Sequence, residues 1–188
     1  MMRYEVINWL IKKHGYKRYL EIGLDNPANC FNRIEVETKC SVDPFKGATY
    51  RMTSDAFFAK DRGTYDIVFL DGLHESEQAA RDIENSIDIL RPNGSIVVHD
   101  CDPDHEAGAQ KERNGVARWY GDVYLAWIKY RSTRPDLSMV CLDLDCGLGI
   151  IRRGEQNCYG YTITGWRDFK EDRVHALNLV KWDDYVSD

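Results

Sequence analysis

The 188-residue chain sets 25 lysines and arginines against 31 aspartates and glutamates, a formal charge of −6 at pH 7. That balance speaks against nonspecific nucleic-acid binding as its main task, and 43% hydrophobic with 30% charged residues is ordinary for a soluble globular protein. No apolar run approaches the ~18 residues of a membrane span, and the N-terminal segment lacks the apolar core and small-residue cleavage site of a secretory signal. The expectation is one domain over residues 1–188, cytoplasmic, with a small-molecule partner and no nucleic acid or membrane. The oligomeric state is not legible. Six cysteines (Cys30, Cys40, Cys101, Cys141, Cys146 and Cys158) include no Cys-x-x-Cys pair, so they read as reduced, partly buried thiols and not as zinc ligands.

In chain order, Val6, Ile7, Leu10 and Ile11 share one face of a helix over residues 3–13, which His14-Gly15 stops. YLEIG (19–23) is a short strand followed by the turn Leu24-Asp25-Asn26-Pro27. Residues 30–34 suit a short helix, and 39–42 a second strand ending at Asp43-Pro44. A third strand is expected over 50–53, with Ser54 or Asp55 capping a helical turn over 56–60. Residues 66–70 form the fourth strand. The helix after it repeats Ala79 or Ala80, Ile83, Ile87 and Leu90 at three- to four-residue spacing, with polar residues on the opposite face. Pro92-Asn93-Gly94 then turns the chain into a strand over 95–98. The charged stretch 102–114 reads as a mobile loop or lid, and 116–131 as a helix. Residues 138–142 and 148–152 form a closing antiparallel hairpin, and the aromatic tail beyond 159 ends in one short helix. Alternating strands and helices point to an α/β fold with a mostly parallel sheet.

Two of these strands end in carboxylates, Asp71 and Asp100, and a helix-length segment separates them, so they are expected to lie parallel. Ligands of open α/β sheets bind beyond the carboxyl ends of the strands, which puts Asp71, His74, His99 and Asp100 on one rim. Asp43 lies about twenty residues beyond Gly23, a spacing suited to accepting hydrogen bonds from a ribose. The plainer roles stay open. Asp55 is a plausible helix cap, Asp71-Gly72 a turn pair, and His99 a satisfied core histidine. Trp119, Tyr120, Tyr124 and Trp127 are core or a substrate wall. The phosphate-cradling G-x-G-x-x-G of a dinucleotide fold is missing, which weighs against NAD or a nucleotide sugar.

YLEIG, SVDP, MTSDAFF, YDIVFLDGLH and RPNGSIVVHDCDP, in that order, resemble the class I S-adenosylmethionine-dependent methyltransferases, most closely the small methyltransferase-24-type domains. WYGDVYLAWIKYR and DLDCGLGII are similar to the same group, so the likeness spans roughly residues 19–152. It implies a Rossmann-like three-layer sandwich with a mostly parallel seven-stranded sheet and an antiparallel edge strand. Position by position, it implies S-adenosylmethionine held by Glu21 and Gly23 in the first motif, Asp43 on the ribose, Ser54 and Asp55 near the adenine, and Asp71 near the methionine end. The chain departs from the G-x-G-x-G loop common in methyltransferases, because no second glycine follows Gly23 closely. For methyl transfer to a hydroxyl of a small acceptor such as a sugar or specialised metabolite, His74 or His99 would be the general base, with Asp100 orienting it. Asp71, Asp100 and Asp102 also offer hard oxygen ligands suited to magnesium. A related metal-dependent modifying domain and a non-catalytic binding module of the same fold are the alternative readings.

Overall fold

A computed structural model describes residues 1–45, 47–60, 63–163 and 165–187. The elements run α1 (Arg3–His14), β1 (Arg18–Ile22), β2 (Thr38–Val42), α2 (Ser54–Phe58), β3 (Tyr65–Leu70), α3 (Ser76–Ile89), β4 (Leu90–Val98), α4 (Val123–Thr133), β5 (Leu137–Leu142), β6 (Leu148–Arg153), α5 (Trp166–Leu177), β7 (Leu179–Val180) and α6 (Trp182–Ser187). The seven strands form one sheet in the order β2-β1-β3-β4-β6-β5-β7. Strand β1 pairs parallel with β2 and β3, and β3 parallel with β4. Strand β6 is the reversed one, antiparallel to both β4 and β5, while β7 is parallel to β5. This is the mostly parallel Rossmann-like sheet expected, with the reversal toward one edge. Among the described residues no helix is long and apolar enough to cross a membrane, and all six cysteines are free.

Both faces of the sheet are covered, which is why β1 and β3 read as nearly continuous apolar runs. Tyr19, Ile67, Phe69 and Val97 pack with Val6, Ile7 and Leu10 of α1 on one face. Leu20, Ile22, Val68, Leu70, Ile96 and Val98 pack with Ile83, Ile87, Trp127 and Phe169 from α3, α4 and α5 on the other. At the amino-terminal ends of the strands, Asp66 accepts from the backbone N–H groups of Lys17 and Arg18, both at 2.9 Å, and from Arg91. Trp9 packs edge-on to Trp182 with ring centroids 5.2 Å apart, so α6 packs against α1.

Several expectations are corrected. Residues 50–53 form no strand: Tyr50 alone bridges Val42, and the chain then turns, with the Met52 N–H bonded to the Tyr50 carbonyl. Thr53 caps α2, its hydroxyl accepting from the Ala56 N–H, so neither Ser54 nor Asp55 is the cap. Pro92-Asn93-Gly94 lies inside β4, where the absence of a side chain at Gly94 lets the backbone approach the Asp66 carbonyl. The expected helix 116–131 begins only at Val123, because Gly121 sits at φ +65° hard against the His74 carbonyl. The stretch after residue 101 is anchored: Asp102 is buried and ion-paired with Arg173, and Gly108 and Ala109 are buried in a 3₁₀ turn. The tail supplies two helices and a strand where one helix was expected.

Gly149 of β6 leaves no space beside the buried Trp127, since a Cβ there would lie 2.3 Å from the indole ring. Gly149→Val is therefore expected to lower stability by about 1–3 kcal/mol through overpacking, read by equilibrium denaturation.

Candidate active site

The parallel register brings three strand ends level. The Asp71 N–H donates to the Ile22 carbonyl at 2.9 Å and the His99 N–H to the Leu70 carbonyl at 3.0 Å, so the residues just beyond β1, β3 and β4 stand side by side. A cavity of about 720 Å³ opens over them. Its floor comes from residues 21–26 and 42–45, and its far wall from Asp71, Gly72, Leu73, His74, His99 and Asp100. Arg3, Ser54, Gln78, Arg118, Trp119, Tyr120 and Cys146 are among the other lining residues.

The turn after β1 explains how the chain manages without a second glycine. Gly23 sits at φ +86°, and any Cβ there would fall 2.0 Å from the Asp71 carbonyl oxygen. The turn is then fixed by Asp43, whose Oδ2 accepts from the Leu24 N–H at 2.9 Å and whose Oδ1 accepts from the Phe45 N–H at 2.8 Å. One carboxylate thus ties the ends of β1 and β2 together and keeps lone pairs free on the cavity side. Ser54 accepts from Gln78 Nε2 at 3.1 Å. Asp55 stands outside the lining and is half exposed, but shares the same Gln78 amide at 3.1 Å.

Glu21 is buried among apolar residues, with the Tyr19 hydroxyl donating to its Oε2. Burial, with the negative charge of Asp71 nearby, pushes its carboxyl up from an ordinary 4.5 to about 7 against the opposing Tyr19 bond.

The far wall is a compact charge network. His99 Nδ1 lies 3.2 Å from Asp71 Oδ1 and 3.0 Å from Asp100 Oδ1, and His99 Nε2 lies 3.7 Å from Asp145 Oδ1. His74 reaches Asp71 Oδ1 at 3.4 Å through Nε2 and Asp100 Oδ2 at 3.3 Å through Nδ1, and its ring stacks on Trp119 with centroids 5.1 Å apart. Arg3, from the first turn of α1, donates to Asp71 at 2.6 Å and to Asp145 at 3.0 and 3.2 Å. Burial would neutralise these groups, but the neighbours prevail. Asp71 is held well below the carboxylate range by His99, His74 and Arg3, and His99 well above the histidine range by Asp71 and Asp100. His74 is raised, chiefly by Asp71 and Asp100 acting against burial. Asp145 is lowered by His99 and Arg3.

The sequence-derived rim of Asp71, His74, His99 and Asp100 is therefore assembled as one cluster. Arg3, Asp145 and Cys146 were not foreseen. A signal for each existed: a helix that precedes the first parallel strand starts at the strands' carboxyl ends, where Arg3 lies, and the turn after β5 opens at the same rim. Of the four aromatics weighed as wall or core, Trp119 and Tyr120 line the cavity, whereas Tyr124 and Trp127 are buried in the core.

Magnesium does not fit this donor set. Asp102 is turned away and taken by Arg173, and Asp71 and Asp145 are occupied by a guanidinium. The His99 ring stands 3.2 and 3.0 Å from Asp71 and Asp100, whereas this ion demands several unencumbered oxygens in octahedral geometry.

Residues 15–101 match the model of a family described as a methyltransferase domain. Among solved structures, the chain superposes on SAH-bound methyltransferase PaMTH1 of Podospora anserina with a TM-score of 0.58 at 13% identity, covering 81% of this chain and 78% of that one. For cofactor-bound Rv0187 from MTB the TM-score is 0.61 at 14% identity, covering 82% and 80%. For the O-methyltransferase TomG of Streptomyces achromogenes, involved in tomaymycin synthesis and solved with SAM, it is 0.59 at 13%, covering 80% and 79%. None of the curated proteins matches the chain. Residues 15–101 are thus similar to a methyltransferase domain, and the chain shares the fold of these solved methyltransferases.

Because the folded protein holds the Glu21 proton more tightly than the unfolded chain does, the stability Glu21 contributes is complete below pH 4.5 and is lost as the pH rises through about 7. Glu21→Gln is expected to match the wild type at acid pH and to exceed its stability by about 3 kcal/mol above pH 7, read by urea unfolding across that range.

Proposed function

We propose that this protein transfers the methyl group of S-adenosylmethionine to a hydroxyl oxygen of a small acceptor, such as a sugar or a specialised metabolite, in the cytoplasm. One observation carries the reading: a single cavity of about 720 Å³ joins the Gly23–Asp43 turn at one end to the His74–His99–Asp100 cluster at the other. Its size suits a nucleoside-containing ligand together with a small second molecule.

In the cofactor half, Gly23 presents bare backbone, and Asp43 holds the ribose hydroxyls with the lone pairs left over from its two backbone bonds. Thr53 and Ser54 border the adenine end, where Asp55 acts only through Gln78. Glu21 and Asp71 face the methionine end. When bound, the cofactor supplies an electrophilic methyl on a cationic sulfur. The chain's part is to align an acceptor oxygen and remove its proton.

His74 is the better placed base. It lines the cavity, stacks on Trp119, and stands 3.4 Å from Asp71 through Nε2 and 3.3 Å from Asp100 through Nδ1, a nitrogen that makes no hydrogen bond and is left to accept a proton. His99 is enclosed by Asp71, Asp100 and Asp145 and stays an imidazolium, stabilising negative charge that develops on the acceptor oxygen. Asp100 bridges the two rings. The O–H bond of the acceptor breaks toward His74 as the oxygen takes the methyl group.

Calorimetric titration with S-adenosylmethionine and S-adenosylhomocysteine is expected to show micromolar binding, weakened about tenfold or more by Asp43→Ala. Failure of the folded protein to bind either would contradict the reading. His74→Ala is expected to cut turnover about 10²–10⁴-fold. With His74 as base, turnover rises with pH through a midpoint above the ordinary histidine value of 6.5. Full turnover by both His74→Ala and His99→Ala would remove the histidines from the chemistry.

A further inference from the structure

Within the charge network stands a cation that no strand supplies. The Arg3 guanidinium bonds Asp71 Oδ2 through NH1 at 2.6 Å and both oxygens of Asp145 through Nε and NH2, and its own backbone N–H adds a bond to Asp145 Oδ2 at 2.7 Å. NH1 also lies 3.3 Å from His99 Nδ1. A planar fork held on two carboxylates is a fixed charge, unlike the swinging ammonium of a lysine. Three carboxylates (Asp71, Asp100 and Asp145) thus gather round the Arg3 guanidinium and the rings of His74 and His99.

We infer that Arg3 is the resident cation of this centre, occupying the electrostatic place a divalent metal would take and making the reaction independent of metal. It is a positioning residue: it holds Asp71 and Asp145 around His99 and touches no reacting atom. The catalytic half of this inference rests on the methyltransferase reading, and the metal-excluding half does not. Without Arg3, two sets of donors lose their competing charge: Asp71, His74 and Asp100, and His99, Asp145 and Cys146, each with ligand atoms within 4.8 Å of one another.

The test is calorimetric titration of Mn²⁺ into the wild type, Arg3→Ala and Arg3→Lys, with methyl transfer measured with and without a chelator. The wild type and Arg3→Lys are expected to bind no stoichiometric Mn²⁺, and Arg3→Ala to bind it stoichiometrically. Wild-type turnover stays unchanged under chelation, falls about tenfold or more in Arg3→Ala, and recovers largely in Arg3→Lys. Should Arg3→Ala not fold, the neutral Arg3→Gln carries the same expectations. Stoichiometric Mn²⁺ on the wild type, loss of its turnover on chelation, or a neutral Arg3 variant that equals the wild type in both readouts would overturn the inference. Failure of the methyltransferase reading would show instead as no S-adenosylhomocysteine binding by the wild type, with the metal titration still readable.

Discussion

Three carboxylates, Asp71, Asp100 and Asp145, converge at the carboxyl end of the sheet, and a buried carboxylate stays ionised only with a cation or donors beside it. The architecture of the rim follows from meeting that condition. Helix α1 delivers Arg3, β4 delivers His99, and the turn after β3 delivers His74. Asp145, in the left-handed region at φ +44°, is reached by the backbone N–H at the start of α1, where a negative charge also suits the helix dipole. The network thus fastens the first helix, the central strands and the β5–β6 turn to one another.

The cofactor side obeys a different constraint, that of backbone approach. Gly23 can come against Asp71 only because it has no side chain, and its left-handed φ sends the chain back toward β2. A glycine-rich loop obtains such a turn by flexibility. Here Asp43 fixes it with two backbone hydrogen bonds, so the short glycine motif costs no geometry. On the acceptor side, Gly121 and Asp122 close on His74, whose carbonyl accepts from the Asp122 N–H at 3.2 Å. Asp122 Oδ1 in turn accepts from the Ser76 N–H at the start of α3. The start of the stretch expected to be a helix from residue 116 therefore serves as a clamp on the proposed base.

Much of this was legible because strand ends are local. The apolar runs of β1, β3 and β4 and the acids and histidines that follow them are contiguous in sequence, and parallel pairing fixes which end they share. The 3.6-residue pattern of α3 was equally plain. Arg3 and Asp145 were hidden, since their meaning arises only when residues 142 positions apart touch. Local pattern misled where tertiary contact overrode it. The periodicity from Val116 suggested a helix, but the fit of Gly121 against His74 forbids one before Val123. The charge of residues 102–114 suggested solvent, yet Asp102 is drawn inward by Arg173 from α5, and nothing near Asp102 in the chain announces that partner.

A crystal structure with S-adenosylhomocysteine, grown in the presence of a divalent cation, tests the central claim most directly. The account expects the adenosine beside Gly23 with its ribose hydroxyls on Asp43, the sulfur facing Asp71, and Arg3 still bonded to Asp71 and Asp145. A nucleoside bound elsewhere, or a metal ion between Asp71 and Asp100 with Arg3 displaced, would contradict it.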